Sequence, residues 1–525
     1  MAQILLFSDC NGSLGLSRYS GPYRIATELR NNGFNVQVVD FFTNYTLDQL
    51  EKICRTHIDS NTLFVGFAAT LWTKKMSDKD VIESLKNQNV SMRSFYKGLY
   101  VSVFPQSEDF IKGLFTLIKG INPNIKLVVG GQKANAFYKC GVDYWIIGQG
   151  EGPVVALANH LKDGLNLKYV DTPYGNIITD TLYPCHNFSE SQIKFTGTDF
   201  IFPGENLPIE TARGCIFKCS FCAFNLNGKK FMDYTKSKDT LIEELTYNWE
   251  NHGINEYMIS DDTFNDSMTK MEYFHSVITS LPFKIKFSCH ARLDIIGTNM
   301  EMAYMLKEMG LVCAEFGIET MNKETGKYIG KLGDREKIIK ILHDIKDVWK
   351  DDVYMSSGFI VGLPYETEDS IRQTMAWLES SDNPLTAVQF NQFYHINPRY
   401  LPHNFADKQS MRDAGFNESI HGWTLEPMSK ISLNPEKYGY NNDRKKWSTK
   451  YIDIQTAERL EEEFHLSPGC RQKKNLAVYH NYNRIRNLGY SHEKIKNLYH
   501  DDFEFVAEAI QKKSILINNY LQKII

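Results

Sequence analysis

Three cysteines, Cys215, Cys219 and Cys222, fall within eight residues in the run ETARGCIFKCSFCAFN. A C-x₃-C-x₂-C spacing on one short loop can hold three irons of a [4Fe–4S] cube and leave the fourth iron without a protein ligand. An open coordination position is what a catalytic metal centre requires and a structural one avoids. With 10 cysteines in 525 residues, composition alone gives such a triplet about 0.004 times per chain, so the spacing is not an accident of composition. A closed zinc site is the alternative chemistry, and the loop offers it no evident fourth ligand.

A loop of this kind needs a scaffold that brings other polar groups to the same place. Six runs between residues 207 and 394 (207–212, 255–260, 285–289, 311–318, 353–361 and 388–394) read as strands, with helical periodicity at 239–251, 271–280, 335–349 and 367–379. Six β/α units make most of a TIM-type ring, whose active residues gather at the carboxyl ends of the strands. The cysteine loop follows the first strand. The second ends in Asp261, Asp262, Thr263, Phe264 and Asn265, and the third in Cys289, His290, Ala291 and Arg292. Two adjacent acids serve equally well as a helix cap, and Arg292 is a natural carboxylate partner. His290 reads as a hydrogen-bonded structural histidine and Cys289 as a buried apolar thiol. The fourth strand carries Glu315 and Glu319. The fifth runs into GFIVGLPYET (358–367), where glycines permit close backbone approach and Pro364 fixes the exit turn. Asn391, Tyr394 and His395 at the sixth strand end are expected to face a substrate.

Residues 1–170 alternate apolar runs (3–9, 35–41, 62–68, 126–129, 144–147) with amphipathic stretches, the pattern of a parallel, Rossmann-like α/β sheet with right-handed crossovers. Ligands of such sheets bind beyond the carboxyl ends of the strands, here the loops 8–15, 67–71, 130–133 and 148–152. A linker over 171–200, the barrel over 201–400 and a mainly helical region over 401–525 complete the expected organisation. In that last region helices are expected at 456–464, 474–488 and 492–521. Tyr438, Tyr440, Trp447 and Tyr451 are candidates to line a pocket or fill a helical core.

The cysteine triplet and GFIVGLP resemble the defining motifs of the radical S-adenosylmethionine (SAM) superfamily. VVGGQKAN, DYWIIGQGEGPVVAL and KKWSTKYIDIQTAERLEEEF extend that resemblance to the class with a cobalamin (B12)-binding domain before the barrel. The resemblance implies a flavodoxin-like cobalamin-binding domain, a partial (β/α)6 barrel, and three cofactors: a [4Fe–4S] cluster, SAM and cobalamin. It implies that SAM chelates the open iron and is contacted by Phe221, Asp261, Asp262, Arg292, Glu319, Gly358, Ile360 and Gly362, with Lys331 as a further family-like residue. For cobalamin it implies Asn11, Ala69, Thr70, Gly130, Gly131, Gly148, Gly150 and Glu151. Glycine turns and a helix-starting acid account for GQGEG equally well. One departure stands out: Asn11 occupies the place of the histidine in D-x-H-x-x-G, so cobalamin binds without a protein histidine or has been lost.

The implied chemistry is cleavage of SAM to methionine and a 5′-deoxyadenosyl radical, hydrogen abstraction from an unactivated C–H, and methyl transfer to the substrate radical. A ring-forming or rearranging reaction and a non-catalytic redox-sensing module are the alternatives. No residue is assigned as a catalytic acid or base.

Composition narrows the partners. A net charge of −4 gives no bulk field for nucleic acid, and the basic runs Arg444–Lys446 and Arg471–Lys474 read as solvated faces. No stretch has the charge and apolar pattern of a signal peptide, and no run of about 18 apolar residues is present. The other seven cysteines are scattered, as in a reducing cytoplasm. The expected partners are a small-molecule or peptide substrate and an electron donor such as flavodoxin or ferredoxin.

Overall fold

The computed structural model describes residues 2–9, 15–69, 108–131, 140–173, 175–184, 186–222, 229, 232–393, 448–473, 479–499 and 502–525. Asn11, Thr70, Tyr394, His395, Tyr438, Tyr440 and Trp447 lie outside these residues.

The first sheet is built from β1 (Ile4–Phe7), β2 (Val36–Val39), β3 (Phe64–Ala68), β4 (Lys126–Gly130), β5 (Tyr144–Ile147) and β6 (Asn176–Thr179). All pairings are parallel, in the order β2-β1-β3-β4-β5-β6. Strands such as ILLF are apolar throughout and buried on both faces, because helices cover a parallel sheet on each side. Those helices include α1 (Ser20–Asn31), α2 (Leu47–His57), α3 (Glu108–Ile121) and α4 (Glu151–Asp163). The order turns back between β1 and β3, the kind of switch point beside which ligands bind. β6 falls within the stretch expected as a linker; Asp180, just after it, accepts from Gln149 N at 2.9 Å and so pins the GQGEG turn.

The second sheet holds β7 (Leu207–Ile209), β8 (Glu256–Ile259), β9 (Lys286–Ala291), β10 (Leu311–Glu319), β11 (Tyr354–Val361) and β12 (Ala387–Gln392), paired in sequence order and parallel throughout. Nothing joins β12 to β7 in that order, which makes a six-stranded open barrel. Its helices are α5 (Lys238–His252), α6 (Met268–Ile278), α7 (Leu293–Thr298), α8 (Glu301–Glu308), α9 (Lys323–Ile329), α10 (Arg335–Trp349) and α11 (Glu368–Glu379). Their starts are set by side-chain caps: Ser237, Ser267, Asn322, Asp334 and Thr367 each accept a backbone N–H of the first turn, satisfying donors the helix cannot.

The C-terminal helices are α12 (Ile454–Leu466), α13 (Pro468–Lys473), α14 (Tyr479–Arg486), α15 (His492–Lys496) and α16 (Phe503–Ile524). The helix expected over 492–521 is thus two helices. Only α12 and α13 pack beside β12 and α11. α14 lies under the amino-terminal mouth of the barrel, where Ser288 Oγ donates to Asn483 Oδ1 at 2.7 Å and the Tyr482 and Tyr354 rings meet at 5.2 Å. α16 returns to the first sheet, where the Asp40 N–H donates to Tyr520 Oη at 3.1 Å. Among the described residues of the tail, α12 and α13 thus lie beside β12, while α14 and α16 tie the two sheets together from below. Buried Arg18 does the same from the N-terminal side, donating to Asp40 (2.7 Å) and Glu205 (2.9 Å).

Candidate active site

The cysteine loop leaves β7 under tight control. Asp261, at the end of β8, accepts from Thr211 N (2.7 Å), Thr211 Oγ1 (2.5 Å) and Ala212 N (3.0 Å), with Lys270 Nζ at 3.7 Å. Beyond it, the Arg213 N–H donates to Tyr234 O and the Ser220 N–H to Ile329 O, so the loop is held against α9. Asp261, expected to meet SAM, is consumed in this clamp and lies beneath the cavity instead of lining it.

The cavity encloses about 370 Å³ at the carboxyl ends of the barrel strands. All three triplet cysteines line it, and no other cysteine among the described residues does; Cys289 and Cys313 are buried in β9 and β10. Cys215 Sγ lies 3.5 Å from Thr263 Oγ1. Cys219 Sγ lies 3.4 Å from Arg292 Nη1. The Arg292 guanidinium stacks 4.0 Å over the Phe217 ring, donates to Gly330 O at 3.0 Å and grips Asp294 through two bonds. A fixed cation beside the sulfurs suits thiolates that carry the negative charge of an iron–sulfur centre. Three thiols on one cavity wall with a fixed cation beside them are a donor chemistry that suits a cluster held by Cys215, Cys219 and Cys222.

Of the other expected SAM contacts, Phe221, Asp262, Arg292, Glu319, Gly358 and Ile360 line the same cavity. Burial, and after it the Asp261 and Glu210 carboxylates, push the Asp262 carboxyl up to about 7. Glu319 sits at φ +69° where the β10 register shifts, a conformation costly for a residue with a side chain and typical of functional positions. Its carboxylate lies 3.9 Å from Lys331 Nζ, which also donates to Gly317 O at 2.8 Å. Gly362 does not line the cavity. It turns the chain at φ +99° and gives its N–H to Glu366. His290, expected as structural, does reach the cavity, and burial drops its pKa to about 4. Phe217, Thr263, Glu315 and Gln389 line it too without having been assigned a role. The signal for Gln389 was the strand period, which gives it the face of Asn391; Glu315 shares its face with Gly317, and the register shift at Glu319 breaks the period beyond it.

At the first sheet, Ala69, Gly130 and Gly131 lie together at the carboxyl ends of β3 and β4, where the Ala69 N–H donates to Gly130 O at 2.8 Å. A Cβ at Gly148 would meet the Asp180 carboxylate at 2.3 Å, and one at Gly150 would meet Ile25 at 3.1 Å; these two glycines serve packing. Glu151 turns away from that edge. It accepts from Arg213 Nη2 at 2.7 Å and lies 3.9 Å from Arg24 Nε, and both arginines also engage Glu210. The fit to a corrinoid thus rests on Ala69, Gly130 and Gly131, where backbone is presented without bulky side chains.

A model of the radical SAM superfamily matches residues 209–378. An uncharacterized methyltransferase of Pyrococcus horikoshii is 25% identical over 302 residues, covering 54% of this chain and 62% of that protein. The anaerobic magnesium-protoporphyrin IX monomethyl ester cyclase of Cereibacter sphaeroides is 26% identical over 179 residues, 32% of this chain and 27% of that one. Each match spans less than two thirds of the relative's own length. The solved structure of the radical S-adenosylmethionine methyltransferase TsrM of Kitasatospora setae superposes with a TM-score of 0.64 at 14% identity, covering 98% of this chain and 100% of that chain. At that identity the likeness is one of fold. Residues 209–378, which include most of the open six-stranded barrel and the three cysteines after its first strand, match the radical SAM model and so form a radical SAM domain. The chain's two-sheet fold is shared with TsrM, whose structure holds cobalamin and a [4Fe–4S] cluster.

Proposed function

We propose that this enzyme uses a [4Fe–4S] cluster and SAM to activate a C–H bond of a small-molecule or peptide substrate, and that it transfers a methyl group to that carbon with cobalamin as the carrier. The observation that carries the reading is the Glu151–Arg213 contact, which joins the strand-end loops of a cobalamin-type domain to the loop bearing the cysteines. When bound, the cluster and SAM supply the 5′-deoxyadenosyl radical and cobalamin supplies the methyl group; the organic steps belong to the cofactors. The chain supplies position and dryness. Cys215, Cys219 and Cys222 would hold three irons, and Asp262 and Glu319 would orient SAM at its amino and ribose ends. Gly358 and Ile360 would lie against adenine, and Ala69, Gly130 and Gly131 would offer backbone to the corrinoid. Among the described residues no helix is long and apolar enough to cross a membrane. A reducing cytoplasm with flavodoxin or ferredoxin as electron donor is the setting that suits such a cluster.

The similarity to a cyclase supports a second reading, ring formation without methylation. Anaerobic protein with iron, sulfide and corrinoid quantified, supplied with reductant, SAM and substrate, separates the two. Methyl transfer yields S-adenosylhomocysteine together with 5′-deoxyadenosine; 5′-deoxyadenosine alone from corrinoid-free protein gives the second reading.

A further inference from the structure

The run that follows β8, Asp261-Asp262-Thr263-Phe264-Asn265, is bound to the cysteine loop at more points than the Asp261 clamp. Thr263 Oγ1 lies 3.5 Å from Cys215 Sγ and 2.8 Å from Asp262 O. Two residues on, the buried Asn265 amide accepts from Arg292 N at 2.7 Å and donates to Arg292 O at 3.0 Å. Arg292 in turn reaches Cys219 Sγ. Asp261, Thr263 and Asn265 therefore act in order on the root of the loop, on its first cysteine and on the cation beside its second.

The run has little freedom to leave this position. Buried Lys270 donates from Nζ to Thr263 O at 2.8 Å and is balanced by Asp261 (3.7 Å) and Asp266 (3.5 Å). Tyr234 closes the set by donating to Asp266 at 2.7 Å. The Phe264 N–H donates to His290 O at 2.9 Å, and the Phe264 ring packs in the core on Phe274 and Phe287, 5.4 Å from each. A residue whose neighbours are locked by packing and hydrogen bonds presents its hydroxyl already in place.

Once Cys215 is an iron ligand its sulfur carries no proton, so the only hydrogen that can lie between it and Thr263 is that of the hydroxyl. The neutral Asp262 carbonyl competes for it, and an anionic sulfur is the stronger acceptor. Hydrogen bonds to the sulfurs are among the properties that set a cluster's reduction potential, because donation to sulfur offsets the charge an added electron brings.

We propose that Thr263 is a positioning residue of the cluster: its hydroxyl donates to Cys215 Sγ and raises the reduction potential, independently of the charge that Arg292 sets beside Cys219. The inference rests on the reading of Cys215, Cys219 and Cys222 as the ligands of a [4Fe–4S] cluster.

The test is anaerobic spectroelectrochemistry on the full chain reconstituted with iron and sulfide. At the solution potential where the wild-type cluster is half reduced, Thr263→Val is expected to lower the ratio of reduced to oxidised cluster by roughly threefold to tenfold, the span of one hydrogen bond. Thr263→Ser keeps the hydroxyl and is expected to match the wild type. Thr263→Ala carries the same expectation as Thr263→Val without its bulk, so a valine variant that fails to fold does not decide the matter. The shift is expected to persist in an Arg292→Gln background, because the two residues serve different sulfurs. An unmoved potential in the variants lacking the hydroxyl, a serine variant that shifts as far as they do, or a shift that disappears beside Arg292→Gln overturns the inference. Iron and sulfide are quantified in every protein. A full cluster with an unmoved potential removes the role of Thr263 alone; a wild-type chain that takes up no cluster removes the reading of the triplet as well.

Discussion

Glu151 Oε1 and Arg213 Nη2 stand 2.7 Å apart, so a residue at the start of α4, in the first sheet's domain, holds the chain two positions before the first cluster cysteine. The pair is part of a buried set: the Arg213 and Arg24 guanidinium groups lie 4.7 Å and 5.3 Å from the centroid of the Phe188 ring, and Glu210 accepts from both arginines. Burial works to raise the Glu151 carboxyl, yet Arg213 and Arg24 hold it below the ordinary range.

Removing one partner of such a buried set leaves the other charge uncompensated, which costs about 3 kcal/mol or more. Glu151→Ala is therefore expected to lower stability by about 3 kcal/mol in urea unfolding. A double-mutant cycle with Arg213→Met should return a coupling of at least about 1 kcal/mol. Coupling near zero would mean that the contact does not join the two domains energetically.

Much of this was legible in the sequence, and the limits have physical causes. The alternation of apolar runs and amphipathic helices located both sheets, because buried parallel strands must be apolar along their whole length. The triplet pointed to the cavity, since thiols at that spacing on one loop line it together. What the chain pattern does not encode is which of several acids faces inward. Asp261 and Asp262 are neighbours in sequence and opposite in fate, one clamping Thr211 and the other lining the cavity, because successive residues beyond a strand point to different sides. Glu151 was legible as a helix-starting acid, but its partner is 62 positions away and belongs to the other domain. Pairings at such distances are set by tertiary packing. The same holds for α14, whose polar sequence gave no sign that Asn483 and Asn487 would pin the barrel to the N-terminal segment; Asn487 Nδ2 donates to Leu16 O at 2.9 Å.

Arg292 stands within hydrogen-bond reach of one of the three thiols, 3.4 Å from Cys219 Sγ. Reduction adds an electron to the cluster, and a nearby positive charge favours it. Replacing Arg292 with Gln removes that charge while keeping a hydrogen-bond donor. The midpoint potential of the reconstituted cluster is expected to fall by on the order of 50–100 mV, from Coulomb's law at an effective dielectric constant of about 20. Spectroscopically monitored redox titration checks this. An unchanged potential would show that Arg292 acts only through its grip on Asp294 and the Gly330 carbonyl.

Glu366, in the turn after β11, gives a pH-dependent signature. Its carboxylate is buried and accepts from Gly362 N (3.0 Å), Leu363 N (3.2 Å) and Thr320 Oγ1 (2.8 Å). Burial outweighs these donors and pushes the carboxyl up to about 7 from an ordinary 4.5. A carboxyl whose folded-state pKa is raised favours folding while both states are protonated, and that advantage is lost as pH climbs from the unfolded value toward the folded one. The folded chain then retains a proton that the unfolded chain has released, so the slope is negative, at most about 1.4 kcal/mol per pH unit for a single group. Wild-type stability is expected to decline between pH 5 and pH 7 and then level off. Glu366→Gln keeps an acceptor for the two backbone N–H groups but cannot ionise, so its stability should fall less steeply than the wild type's over that interval, Asp262 still contributing its own decline. Urea unfolding of both proteins at pH 5.5, 6.5 and 7.5 is sufficient. If the two curves run parallel across that range, Glu366 does not titrate there, and the three donors rather than burial set its charge.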